Sequence, residues 1–271
     1  MPPQSRPPVL AASGLDPTGS AGLLADIRVM SALGCHPCGV VTCETVQSSQ
    51  GLTETQTADP AFLHKQLYAL MSDISIRAAK VGAISSPETA MVLGAAFYKT
   101  PYVPVVVDPV LRPSRGPAFL DPEGFKTAMG ELLPLASIAT PNVHELGALA
   151  GTQVNPADDS EILEASKEWL RSGVRALLVT GLRREDRMVD RLIVPAPDDK
   201  LDSRDFSHVV HDVGEVHGTG CVLSSAIAAF LAHGLELNEA VKGASEFTIR
   251  VIGSARKYGG GAAFWVDAGQ T

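Results

Sequence analysis

The chain has 271 residues, 45% of them hydrophobic and 19% charged, so it can bury a core without disulfides or a structural metal and is too apolar to stay disordered. Its 22 Lys and Arg against 30 Asp and Glu leave a formal charge of -8 with no basic run, which argues against a nucleic-acid partner held by phosphate neutralisation. The cysteines (Cys35, Cys38, Cys43, Cys221) are too few for a secreted disulfide scaffold, Met1–Pro8 lacks the features of a signal peptide, and no run reaches the ~18 apolar residues of a membrane span, so the expectation is a soluble, cytoplasmic protein with no membrane partner.

In chain order, a short flexible segment, 1–8, precedes the apolar run Val9–Ala12, which leads into a Gly-rich turn. Ala21–Leu33 reads as a helix stopped by Gly34, Gly39–Thr45 as a β-branched run, Ala61–Met71 as a helix and Ala78–Ile84 as a strand. Pro87–Tyr98 is a helix with proline in its first turn. Val103–Val110, nearly all valine, has the mark of a strand covered on both faces. Pro122–Leu133 and Glu161–Arg171 are helices, and Ile138–Pro141 and Ala176–Gly181 strands. From Met188 to Val213 the pattern changes: Leu192–Val194 and Val209–Val210 flank a polar loop, Pro195–Ser207, as a hairpin at a sheet edge. Helices return over Cys221–His233 and Leu237–Lys257, and Gly259–Gly261 opens a tail, 259–271. The expectation is one α/β domain over 1–271 with three layers, α/β/α: a central, mostly parallel sheet, helices on both faces and a small edge hairpin. In such sheets ligands gather at the carboxyl ends of the strands.

The strongest motif is His217-Gly218-Thr219-Gly220-Cys221 running into Val222–Ala229. Two glycines opening a helix leave backbone N–H groups and a partial positive charge facing outward, an anion site suited to phosphate. Cys221 lies in the first turn, where the thiolate is favoured and the pKa falls. There it could take a proton from a substrate hydroxyl while the N–H groups hold a transferring phosphoryl. The plainer reading is a Gly-rich turn before a small buried cysteine; the uniformly apolar helix behind it tips the balance to function. Ser13–Gly22 contains Gly-x4-Gly, but Ser20 stands where a phosphate loop needs lysine. It is either a turn with a helix cap or, with Asp16 and Asp26 nearby, the wall of a small-molecule pocket.

Asp108, ending the valine-rich strand, is costly there unless solvated, paired or bound to metal. Asn142 could cap a helix with Glu145 as its partner, or Glu145 could hold Mg2+ through water. Cys35-His36-Pro37-Cys38 follows a helix, the wrong end for a thioredoxin-type pair, and lacks the further ligands of a zinc site, so packed thiols are expected. His144, His208 and His211 belong to no constellation, and the scattered Trp and Tyr form no base-stacking platform.

These segments together resemble the hydroxymethylpyrimidine/phosphomethylpyrimidine kinases of thiamine biosynthesis, in the ribokinase-like superfamily. The resemblance spans about Val9 to Arg256 and rests on SGLDPTGSAGLLAD, Thr42–Gln47, KVGAI, DPVL, TPNVHE, VTG and, above all, HGTGC followed by SSAIAA. It implies a ribokinase-like fold, a homodimer, and ATP- and Mg2+-dependent phosphorylation of 4-amino-5-hydroxymethyl-2-methylpyrimidine and then its monophosphate. Cys221 would be the catalytic base, with Gly218, Thr219 and Gly220 as the anion hole. Gly14, Asp26, Gln47, Ala83 and Val110 would surround the pyrimidine. Asp108 and Glu145 would stand near Mg2+, and Asn142, Thr180 and Gly181 on the nucleotide side. Three departures stand out. Ala83 replaces a usual methionine, and Thr180 a usual lysine for which Arg183 or Arg184 could compensate. Arg112 and Arg115 alter the loop after DPV. Rival readings are a pyridoxal kinase, favoured by Ala83 and opposed by HGTGC with Gln47, and a non-catalytic ligand-binding protein, opposed by intact Asp108, Glu145 and Cys221. A nucleotide-dependent dehydrogenase is weaker still, since no GxGxxG follows any strand.

Overall fold

The computed structural model describes residues 6–198, 200–209 and 216–265. In chain order the strands of the main sheet are β1 (Pro8–Leu15), β2 (His36–Ser48), β3 (Gly51–Thr57), β4 (Ala78–Val81), β5 (Val105–Val107), β6 (Ile138–Ala139), β7 (Leu177–Arg184), β8 (Arg187–Pro195) and β9 (Leu201–Val209). They lie in the order β3-β2-β1-β4-β5-β6-β7-β8-β9. β2, β1, β4, β5, β6 and β7 run parallel to one another, while β3 pairs antiparallel with β2 at one edge and, at the other, β8 with β7 and β9 with β8.

Side-chain alternation explains why the central strands are apolar throughout. Leu10 and Ala12 join one core and Val9 and Ala11 the other; Val105 and Val107 part from Val106, and Leu177 and Val179 from Leu178, in the same way. The helices are α1 (Gly22–Ala32), α2 (Pro60–Asp73), α3 (Pro87–Tyr98), α4 (Pro122–Leu132), α5 (Val143–Ala150), α6 (Asp159–Arg171), α7 (Thr219–Ala232) and α8 (Leu237–Gly253). The core beneath α2 to α6 holds Leu63, Phe97, Phe125, Leu146 and Trp169, and that beneath α1, α7 and α8 holds Val29, Ile227 and Phe247. The expected three layers are therefore present. Asp59, Ser86 and Asp121 cap α2, α3 and α4, each followed by proline in the first turn. Among the described residues no helix is long and apolar enough to cross a membrane.

Three regions differ from expectation. β2 continues past Thr45 and returns as β3, a strand whose sequence is polar apart from buried Leu52. The expected polar loop Pro195–Ser207 is mostly strand: β9 starts at Leu201, and Leu201 and Phe206 pack on opposite faces of the sheet while Asp205 pairs with Arg191 on β8. Val210, expected to extend that hairpin, lies outside the described residues. The ends are also anchored. Within 1–8, Pro8 is already in β1 and Pro7 accepts the His36 N–H; within 259–271, β11 (Ala263–Phe264) pairs with β10 (Val216–His217) and Trp265 is buried.

Candidate active site

At the carboxyl ends of the parallel strands, facing the start of α7, lies a cavity of about 290 Å3. It gathers Gly14, Gln47, Ala83 and Val110 with Asp108, Asn142, Glu145 and Thr180, and closes on Gly218, Thr219, Gly220 and Cys221. Asn142 and Thr180 come together through a bridge that continues the sheet beyond β6 and β7.

The start of α7 is held open by an interlock. Gly218 has a left-handed backbone, φ 83°, and a Cβ there would run into the Ser20 carbonyl oxygen, so only glycine lets the two loops cross. No side chain caps α7, which leaves the N–H groups of its first turn for a ligand. The expectation that Cys221 would be acidified here is reversed. Burial pushes its thiol up to about 12; Lys80 and the Gly22 N–H pull it down, but Asp108 and Asp26 push it up further. Desolvation and two neighbouring carboxylates outweigh the helix terminus.

Lys80 lies beneath the cavity and is not among the residues that line it. It is fully buried, with Nζ 2.9 Å from both Asp26 carboxylate oxygens and 3.8 Å from Asp108 Oδ2. Burial alone would lower its pKa, but Asp26, Cys221 and Asp108 hold the ammonium above its usual range. Gly82 makes room for it: a Cβ at that position would meet Lys80 Nζ and Ser13 Oγ. From α7, Ser225 Oγ donates to Asp26 (2.7 Å) and Ser224 Oγ to Asp108 (3.0 Å). Asp26 is thus sealed beneath the floor and does not line the cavity, contrary to its expected place around the pyrimidine. Sequence reasoning missed Lys80 and the serine pair. The available signal was a lysine inside the apolar run Ala78–Ile84, which needs carboxylates from elsewhere.

The capping reading of Asn142 and Glu145 is present in the structure. Asn142 Oδ1 accepts the Glu145 N–H (3.0 Å) and Glu145 Oε2 the Asn142 N–H (2.9 Å), a complete capping box that also faces the cavity. Burial, then the charge of Asp108, pushes Glu145 up to about 8. Burial also raises Asp108, against the pull of Lys80 and Ser224. Two crowded carboxylates, one raised by the other, make an oxygen donor set short of a cation, which fits Mg2+. Among the described residues no three His, Cys, Asp or Glu side chains gather as a metal cluster, so water and phosphate oxygens would complete such a shell.

On the opposite wall, Asp16 accepts from Thr18 N (2.9 Å), Thr18 Oγ1 (2.8 Å) and Ala21 N (3.1 Å), and its Oδ2 lies 3.2 Å from His217 Nε2. Burial opposes its ionisation, but the His217 and Thr18 hydrogen bonds hold it below the ordinary range. Gln47 is 2.8 Å from the same ring nitrogen. The Gln47 atom that faces it is the amide nitrogen, so this one ring nitrogen serves Gln47 as acceptor or Asp16 as donor according to its tautomer.

Other expected residues stand elsewhere. Gly181 does not line the cavity; it sits in an exposed irregularity between β7 and β8 with its N–H on Asp190 Oδ1 (3.0 Å). Arg184 is engaged with Asp159 at 2.6 Å, so it does not stand in for the missing lysine. Arg112 lines the cavity, whereas Arg115 meets the hairpin through its carbonyl, which accepts the Leu52 N–H. Cys35 and Cys38 are packed thiols as expected, and burial pushes Cys35 up to about 11.

Residues 16–264 match the family described as phosphomethylpyrimidine kinase. A hydroxymethylpyrimidine/phosphomethylpyrimidine kinase of Rhizobium meliloti is 32% identical over 252 residues, 91% of this chain and 90% of that protein. Among solved structures, the phosphomethylpyrimidine kinase of Clostridium difficile 630 superposes with a TM-score of 0.76 at 30% identity, over 91% of this chain and 100% of that one. The ADP complex of Bacillus subtilis pyridoxal kinase superposes with a TM-score of 0.84 at 24% identity, over 96% of this chain and 97% of that one, a likeness of fold.

Proposed function

This chain belongs to the phosphomethylpyrimidine kinase family, and from that premise we infer how its cavity performs the reaction. It is an ATP-dependent phosphotransferase acting on 4-amino-5-hydroxymethyl-2-methylpyrimidine and its monophosphate, in the synthesis of thiamine diphosphate. The observation that carries the assignment of roles is that the uncapped start of α7 and Gln47 line one cavity.

In this reading the N–H groups of Gly218 to Cys221 receive the γ-phosphoryl of ATP and stabilise its charge as it transfers. Gln47 offers its amide to the polar edge of the pyrimidine, between Gly14, Ala83 and Val110. Cys221 Sγ holds the hydroxymethyl group in line. A loose transition state needs little proton removal before the O–P bond forms, so the small thiolate fraction of Cys221, which Lys80 and the Gly22 N–H favour, takes the hydroxyl proton late and becomes the thiol. Asp108 and Glu145 would hold Mg2+, which when bound offsets phosphate charge. Asn142 and Thr180 lie toward the nucleotide, with Gly181 at its outer edge. Asp26 acts from below by holding Lys80.

The reading extends to one kinase domain over 1–271, a cytoplasmic location and a homodimer. The exposed side chains Phe62, Tyr68, Met91 and Tyr98 of α2 and α3 supply apolar surface for self-association. Ala83 leaves room in the ring pocket and keeps pyridoxal a substrate to test. The test is ADP release with Mg-ATP and, separately, hydroxymethylpyrimidine, its monophosphate and pyridoxal. Turnover on the pyrimidines that falls by about 100-fold or more in Cys221→Ala supports the reading. Turnover chiefly on pyridoxal, or unchanged turnover in the variant, contradicts it.

A further inference from the structure

Arg112 is an exposed arginine lining the cavity, and among the described residues it has no ion pair and no side-chain hydrogen bond. The other side chains on the cavity wall that can carry full charge are mainly acidic: Asp16, held ionised by its hydrogen bonds, and Asp108 and Glu145, which burial pushes toward the neutral form. No lysine lines the cavity among the described residues; Lys80 is committed to Asp26 beneath it, and His217 faces Asp16. The loop that carries Arg112 is also anchored. The Phe119 N–H donates to the Leu111 carbonyl (3.0 Å), and the Arg115 carbonyl accepts the Leu52 N–H (2.9 Å) from β3. Gln47 lies on β2, the other strand of that hairpin, so Arg112 is presented on the ring side of the cavity.

The two acceptors make opposite demands on this wall. The alcohol is neutral. The monophosphate brings a charge of about -1.5 to -2 at pH 7 into a cavity lined by carboxylates, while the start of α7 is occupied by the phosphoryl being transferred. A guanidinium offers two parallel N–H donors to two phosphate oxygens and keeps its charge at any working pH. We propose that Arg112 receives the phosphate of the monophosphate acceptor and sets the preference for the second phosphorylation over the first. In that second step an ionised acceptor oxygen forms a bond to the γ-phosphorus. The bond from that phosphorus to the β,γ-bridging oxygen breaks, and ADP leaves with the electron pair. No proton need pass to the protein. The proposal rests on the kinase reading of the site.

The test combines ADP release on each acceptor with calorimetric titration of each acceptor in the absence of ATP, for wild type, Arg112→Gln and Arg112→Lys. In Arg112→Gln the ratio of kcat/KM for the monophosphate to that for the alcohol is expected to fall by about 30- to 100-fold, mainly through KM, with a parallel weakening of monophosphate binding. Arg112→Lys, which keeps the charge but loses the fork, falls between. An unchanged ratio overturns the proposal. So does an equal loss on both acceptors with a raised KM for ATP, which would put Arg112 on the nucleotide. Should the wild type fail to turn over the monophosphate, the kinase reading fails, but the titration still decides on Arg112: equal monophosphate binding by wild type and Arg112→Gln overturns it.

Discussion

Two Gly-rich loops cross where Gly218 passes Ser20, and they treat their backbone donors in opposite ways. The loop from Ser13 to Gly22, after β1, folds around its own carboxylate: Asp16 takes the N–H groups of Thr18 and Ala21 and the Thr18 hydroxyl. The loop from His217 to Cys221, before α7, has no such anion, and no side chain caps the helix it starts. The first is closed to phosphate because it already holds a negative charge; the second is open to it. Glycine content alone does not distinguish an anion site from a turn. What decides is whether a nearby carboxylate has consumed the donors.

The sharpest way to break this arrangement is at the crossing of the two loops. Gly218→Ala would force a side chain into the Ser20 carbonyl at a left-handed position and displace the α7 donors. We expect kcat/KM to fall by about 100- to 1000-fold, the cost of losing an oxyanion-type site, with a lower melting temperature. Next is the floor shared by both loops. Lys80→Met leaves Asp26 and Asp108 buried without their cation, and equilibrium denaturation should show a loss of about 3–5 kcal/mol.

Asp16→Asn tests whether the closed loop depends on its internal charge. The folded-state pKa of Asp16 lies below the usual 3.8, so the folded state binds fewer protons than the unfolded chain there. Its contribution to stability is present above pH 3.8 and is lost as pH falls through the folded value. The variant should therefore lose about 1–3 kcal/mol at neutral pH, and its difference from wild type should shrink in acid, measured by urea denaturation across pH. The smallest effect is expected at the seam. Trp265 Nε1 donates to the same Ser20 carbonyl that Gly218 passes, at 2.9 Å, and Arg28 lies over its ring. Trp265→Phe keeps the ring and removes the hydrogen bond, for about 1 kcal/mol and a melting temperature lower by about 2–4 °C.

Much of the site was legible because its residues sit where a strand turns into a helix. Asp108, Asn142, Glu145 and Gly218 to Cys221 are each marked by a local pattern, and the parallel sheet gathers strand ends by its topology. The floor was not legible. Lys80 meets Asp26 across 54 positions of sequence, and no local periodicity joins them. The family resemblance sets Asp26 against the pyrimidine, whereas its partner in the fold is Lys80. The state of Cys221 was misjudged for a related reason: the helix-terminus effect is local and visible, whereas burial and the carboxylates of Asp26 and Asp108 come from the assembled fold. β3 and β9 escaped notice because edge strands carry mostly polar residues that read as loop.

The contrast between the closed and the open loop is tested most directly by backbone amide shifts of isotope-labelled protein on addition of Mg-AMP-PCP. The account expects Thr219, Gly220 and Cys221 to move most while Thr18 and Ala21, whose N–H groups stay on Asp16, barely respond. Large shifts at Thr18 and Ala21 with a silent start of α7 would contradict it and place the phosphates in the other loop.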